Sequence, residues 1–299
     1  MQPENAREGS HAWVGVAYAA GAYVCWGLFP LYFHALHGVP APEILSHRIA
    51  WSAAFMLLVV AVRRHGSELK RQLTPGVVGR LAVSAVLISS NWLIYIWAVN
   101  AEHVLDASLG YFVNPLVSVL LAVVFLREPL SRRQIVAIAL AAVGVLYLVI
   151  RAGRFPWVAL SLALTFGLYG LIRKRVPVDA TVGLLTEVLV LAPLALGYLG
   201  LLGASGHSHF LETPGRTALL ASAGIVTAVP LLWFANGVRR LRLSTVGLLQ
   251  YLNPTIQFTI AVAIFGEPLG PAHRFAFACI WVALAIYTSE ALGLGRRRA

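Results

Sequence analysis

Ten stretches of continuous apolar sequence, separated by short polar segments, organise this chain. They lie near residues 12–33, 43–62, 77–99, 104–126, 132–151, 157–173, 180–201, 216–236, 245–265 and 272–292. Each is long enough, or nearly so, to cross about 30 Å of hydrocarbon as a helix of about 20 residues. The sixth is the shortest, and only a few residues separate the third from the fourth. The runs do not alternate polar and apolar positions, which argues against β-barrel strands. The pattern predicts an all-α membrane protein with ten transmembrane helices.

Composition agrees. Of 299 residues, 59% are hydrophobic and only 12% are charged, against about 25% charged in a soluble domain. The net charge of +11 does not form a basic stripe with interleaved surface aromatics, so no nucleic-acid partner is expected. Its distribution reports topology instead. With the N-terminus in the cytoplasm, 18 of the 23 Lys and Arg residues fall in inner segments and four (Arg151, Arg154, Arg216, Arg274) in outer loops, with Arg48 inside a span. That asymmetry predicts both termini inside and attraction to anionic lipid at the inner surface. The first run is rich in Tyr, Trp and Phe and has no small-residue cleavage site, so it is expected to stay in the membrane rather than be removed as a signal peptide. Cys25 and Cys279 fall inside apolar runs and read as packed thiols, with a disulfide between them left open.

One phrase occurs twice. Asn114-Pro115 is followed by Glu128-Pro129-Leu130, and Asn253-Pro254 by Glu267-Pro268-Leu269, always 139 residues apart. The duplication predicts two five-helix repeats, residues 1–152 and 153–299. Five is odd, so the second repeat enters the membrane from the opposite side. Inverted repeats of this kind are typical of secondary transporters, with the binding site near the midplane between the halves.

The repeat also directs attention to particular polar residues. Tyr111, Asn114 and Ser118 share one face of the fourth run, and Gln250, Asn253 and Gln257 occupy the matching positions of the ninth. These stripes read either as facing walls of a water-filled cavity or as interhelical hydrogen bonding beside the proline-broken backbone. Asn91 and Tyr95 on the third run, Tyr169 on the sixth and Trp26 on the first complete the candidate substrate-binding set. Ionisable residues within spans are costly and therefore informative. Glu187, His47 and Arg48 form the candidate proton-coupling set, with His47 matched to Glu187 through an offset of 140 in this early part of the repeat and the two expected to share a proton or form a salt bridge. Glu43, in the first turn of its helix, suits the helix dipole, and Asp106 reads as a helix-start acid. The two Glu-Pro phrases read as helix stops, with Glu128 paired to neighbouring Arg127, Arg132 or Arg133. His207 and His209 sit in a Gly/Ser-rich outer segment expected to be a solvated loop. No metal site, cofactor, P-loop, H-E-x-x-H or G-x-S-x-G motif is read from the sequence.

Longer phrases carry a resemblance. Ala22-Tyr23 with Trp26-Gly27, Glu43-Ile44-Leu45-Ser46-His47-Arg48, Asn91-Trp92 with Ile96-Trp97-Ala98-Val99-Asn100, Ala107-Ser108-Leu109-Gly110-Tyr111-Phe112, Asn114-Pro115-Leu116, and Arg239 with Leu241-Arg242-Leu243-Ser244-Thr245 together resemble the RarD subfamily of the EamA-type drug/metabolite transporters. The likeness spans roughly 12–290. It implies a ten-helix permease of the bacterial cytoplasmic membrane, in a subfamily named for chloramphenicol sensitivity or resistance; it assigns no residue a role. The expectation is a secondary active transporter, not an enzyme, that exports a small organic metabolite or drug by alternating access. Its partners would be that solute, the bilayer and a second copy of itself as a homo-oligomer. A membrane-embedded enzyme acting on a lipid-linked substrate, and a channel or scramblase, stand as alternatives.

Overall fold

The computed structural model describes residues 3–63, 69, 71–100, 104–153, 155–264, 266 and 270–291. The second Glu-Pro-Leu phrase, at 267–269, and the basic residues 296–298 lie outside them, as does the side chain of Asp106. The chain is helical, and no strand occurs among the described residues. In order the helices are α1 (Pro3–Gly27), α2 (Phe29–Ala35), α3 (Ala41–Val62), α4 (Pro75–Asn100), α5 (Val104–Leu126), α6 (Arg132–Ala152), α7 (Trp157–Arg175), α8 (Ala180–Ala204), α9 (Pro214–Arg240), α10 (Leu243–Leu249), α11 (Leu252–Ala263) and α12 (Pro271–Ala291). All ten predicted runs are helical, and two of them, the first and the ninth, are broken. Six of the helical segments are individually long and apolar enough to cross a membrane. Leu58, Val62, Leu194 and Leu201 stand well exposed on the outer face of the bundle, as expected where the surrounding solvent is lipid.

Proline explains both breaks. Pro30 cannot donate to the carbonyl of Trp26, four residues earlier. The chain bends at Leu28, and that carbonyl instead accepts from Gln257 Nε2 at 3.4 Å. Pro254 likewise frees the carbonyl of Gln250, which accepts from the Asn253 amide at 3.0 Å in a tighter turn. The matching Pro115 lies inside an uninterrupted α5. Elsewhere the ends follow ordinary capping rules. Ser131 and Gln134 close a capping box on α6, Thr213 caps α9, and Gly153 ends α6 at φ 67°.

Helix starts keep the repeat register. Ala41 and Ala180, Pro75 and Pro214, Val104 and Leu243, and Arg132 and Pro271 are each 139 residues apart. The packing follows the same exchange. α1 packs on α9 as α7 packs on α4, and α3 on α9 as α8 on α4; α3 meets α8, α5 meets α10 and α6 meets α12 as repeat-related pairs. Small residues set these approaches. A Cβ at Gly224 on α9 would lie 2.3 Å from the carbonyl carbon of Trp51 on α3, and one at Gly237 would lie 3.1 Å from the backbone nitrogen of Ala19 on α1. Ser52 Oγ donates to the Gly224 carbonyl at 3.1 Å across the same crossing. Cys25 and Cys279 are free thiols.

The basic cluster 173–175 does more than mark a side of the membrane. Arg173 is buried, Lys174 Nζ caps the end of α9 through the carbonyls of Val238 (2.9 Å) and Leu241, and Arg175 donates to the carbonyl of Phe125 near the end of α5. Glu128 also departs from expectation. Its carboxylate accepts from the backbone amides of Leu243 (2.8 Å) and Ser244 (3.1 Å) and from Ser244 Oγ (2.7 Å), with Arg242 Nε at 3.7 Å. The helix stop of the first repeat therefore caps the first turn of α10 in the second, because unpaired amides at a helix start bind a carboxylate better than a solvated arginine does.

Gly224→Ala should destabilise the protein by about 1–3 kcal/mol, since the methyl group meets backbone that cannot move aside. Gly200→Ala, where a Cβ meets nothing within 4 Å, should be neutral or slightly stabilising. Thermal melting of the purified variants in detergent reads both.

Candidate functional site

A cavity of about 20 Å³ lies between α3, α4, α8 and α9. It has room for about one water molecule and is far smaller than the several hundred Å³ of a small-molecule site, so this conformation is closed around it. Ten of its lining residues are five repeat-related pairs: Arg48 with Glu187, Ile49 with Val188, Ser52 with Leu191, Ile88 with Thr227, and Trp92 with Leu231. Each pair is 139 residues apart. The cavity thus sits where the two halves exchange.

Arg48 is the most unusual residue there. Its side chain is 2% exposed. One face of the guanidinium lies over the Trp92 ring at 3.8 Å, with the Phe29 and Phe33 rings at 5.4 and 5.7 Å. Nε donates to Thr227 Oγ1 at 2.9 Å, while Nη2 is buried with no hydrogen-bond partner. No carboxylate among the described residues lies within ion-pair distance of it. The hydroxyls of Tyr32, Tyr95 and Tyr111 are within electrostatic reach.

Glu187 is differently placed. Ser84 Oγ donates to its Oε1 at 2.5 Å, and Arg173 Nη1 lies 3.6 Å from the same oxygen, with both side chains of the ion pair 2% exposed. Oε2 has no partner. Arg173 reaches this position because residue 183 is glycine; a Cβ there would fall 1.8 Å from Nη1.

The expected pairing of His47 with Glu187 does not form. The register is 139 in this segment as well, so the mate of Glu187 is Arg48. His47 instead stacks 4.9 Å from Phe210, and neither ring nitrogen has a hydrogen-bond partner. The 207–213 segment is correspondingly not a free loop. Buried Glu43 accepts from the His209 amide and meets His209 Nδ1, both at 2.7 Å, which pins the segment over the start of α3. A carboxylate with no exposed surface needs such partners, and the helix dipole alone does not supply them.

The remaining candidates fall into two groups. Trp26 and Tyr169 belong to an aromatic cluster with Tyr23, Phe166 and Phe234, where Tyr169 stacks on Phe234 at 5.7 Å. Tyr95 and Tyr111 meet edge to face at 5.4 Å. Asn91 Nδ2 is engaged by the Leu162 carbonyl (2.8 Å) and Thr165 Oγ1 (2.9 Å), tying α4 to α7. Gln257 Nε2 bridges Asn253 Oδ1 at 2.8 Å and the Trp26 carbonyl. Ser118 packs against Gly247, where α5 crosses α10. Asn114 Oδ1 and Gln250 Oε1 are buried without partners. None of these lines the closed cavity; Arg48 and Glu187 do. Sequence reasoning missed Arg173, Thr227 and the stacking role of Trp92. Applying the 139 offset uniformly would have set Arg48 against Glu187, but nothing local separates Arg173 from the solvated basic cluster beside it.

Comparison with known proteins settles the family. The model of the EamA-like transporter family matches residues 13–150. Protein RarD of Escherichia coli (strain K12) is 47% identical over 285 residues, covering 95% of this chain and 96% of its own. The chain belongs to the RarD subfamily of the EamA-like transporters. The uncharacterized transporter YojE of Bacillus subtilis (strain 168) is 46% identical, covering 92% of this chain and 93% of its own. A solved structure titled only as the crystal structure of a protein shares the fold at TM-score 0.72 and 18% identity, over 92% of this chain and 98% of that one. This RarD-type chain is therefore a multi-pass membrane transporter. Among its described residues no cluster of three or more His, Cys, Asp or Glu could hold a metal ion.

Arg173→Gln should destabilise by about 3–5 kcal/mol, because it leaves the Glu187 carboxylate buried without its cation. The double variant Arg173→Gln with Glu187→Gln should recover most of that loss. A double-mutant cycle on melting temperature reads the coupling.

Proposed function

We propose that this chain is a secondary active transporter that exports a small organic solute across the bacterial cytoplasmic membrane by alternating access. The observation that carries the reading is the closed cavity, walled by repeat-related residues and holding two buried charged groups at equivalent positions. Repeats 1–152 and 153–299, inverted with respect to one another, would rock about this point and open it to each side in turn. The constant 139-residue offset of four helix starts and the exchange symmetry of the packing support the inverted arrangement. The transporter names of close relatives support the activity.

Glu187 is the coupling group in this reading. It lines the cavity, and one carboxylate oxygen has no partner, so it can take a proton when the cavity hydrates. Trp26, Tyr95, Tyr111, Asn114, Gln250 and Gln257 would line the wider cavity of an open state, where the unpartnered amide oxygens gain ligands. Asn91, Ser118, Tyr169 and Asn253 hold the helices around it.

In proteoliposomes, Glu187→Gln should abolish accumulation driven by a pH gradient while leaving solute exchange at equal pH largely intact. Undiminished gradient-driven flux would remove Glu187 from coupling. For topology, Cys25 and Cys279 are replaced by Ala. A cysteine at Ser205 should then react with an impermeant maleimide on intact cells, whereas one at Arg132 should need permeabilisation. The reverse pattern would invert the assignment of both termini.

A further inference from the structure

The charges around the cavity do not cancel. Arg173 neutralises Glu187 at 3.6 Å, which leaves Arg48 as the cation without a carboxylate among the described residues. A lone cation in hydrocarbon costs at least about 2.5–3.5 kcal/mol, and a purely structural arginine would be expected to carry a paired acid. Its surroundings preorganise it instead. Trp92 covers one face at 3.8 Å, Thr227 holds Nε at 2.9 Å, and Nη2 is buried with nothing bound to it. A guanidinium stacked on its face and held at one nitrogen presents its remaining N–H groups in the fork that matches a carboxylate. Ile49, Ile88 and Leu231, which also line the cavity, offer an apolar wall for the rest of a ligand.

We propose that Arg48 anchors the transported solute, and that this solute is an organic monocarboxylate with an apolar or aromatic body. The proposal rests on the transporter reading and names the substrate class of the same site. Binding of the carboxylate supplies the counter-charge that the protein itself withholds. The site is then neutral only when loaded.

The test uses purified full-length protein, its Arg48→Gln and Arg48→Lys variants, and a panel of monocarboxylates, including 3-phenylpropionate and hexanoate, each paired with its uncharged primary amide. Thermal-shift titration should show carboxylates binding the wild type at least about tenfold more tightly than their amides, in line with a charge-assisted hydrogen bond. That preference should vanish in Arg48→Gln and survive in part in Arg48→Lys. The ligand-free Arg48→Gln protein should melt no lower than the wild type, because an unpaired buried charge has been removed. A lower melting point, with unchanged carboxylate preference in Arg48→Lys, would mark Arg48 as structural and overturn the proposal. So would equal binding of carboxylates and amides by the wild type. Proteoliposome counterflow separates the two readings. Saturable movement of uncharged solutes alone would overturn the carboxylate assignment and leave the transporter standing. Failure of the wild type to move any solute would overturn both.

Discussion

Inside hydrocarbon, no polar group can turn to bulk water, so each must find its partner in the protein. The arrangement of this bundle follows from that constraint. The carbonyl of Trp26, freed by Pro30, draws Gln257 across from α11, and the carbonyl of Gln250, freed by Pro254, closes a tighter turn on itself. Glu128 of one half caps the start of α10 in the other. The cationic ends of Lys174 and Arg175 close the C-terminal ends of α9 and α5. Contacts that look like separate details are solutions to one problem, and most of them cross from one repeat to the other.

The same constraint makes the exceptions informative. Where almost all polar atoms are engaged, the unpartnered Nη2 of Arg48 and Oε2 of Glu187 stand at repeat-equivalent positions beside one small cavity. Duplication placed a charged side chain at the same point in each half, and divergence gave the two opposite signs. Only one of them received a countercharge, from Arg173. The inequality turns a symmetric scaffold into a polarised site, which a carrier needs if its two faces are to treat solute and proton differently.

Much of this was legible along the chain. The ten apolar runs are helices, and the repeated Asn-Pro phrase indicated a register that the helix starts keep. The repeat also singled out Asn253 and Gln257, which are hydrogen-bonded to each other. Other residues were misread for physical reasons. A one-residue slip in the offset matched Glu187 to His47 rather than Arg48, and on a helix one residue is a rotation of about 100°, enough to carry a side chain from the cavity to the outer loop. Glu43 and Glu128 were assigned to their own neighbourhoods, yet both are held by segments more than 100 residues away.

The sequence by itself determined the number and length of the apolar helices, their duplication and the residues able to carry charge into the membrane. These depend on composition and spacing over a few turns, and hydrocarbon thickness fixes what such a spacing means. Only the tertiary structure decided which charge is neutralised and which is left open. Arg173 reaches Glu187 because residue 183 is a glycine, and Arg48 is held by a tryptophan from α4 and a threonine from α9. Pairing at 3–4 Å is set by how helices distant in sequence cross, and no local pattern along the chain encodes that distance.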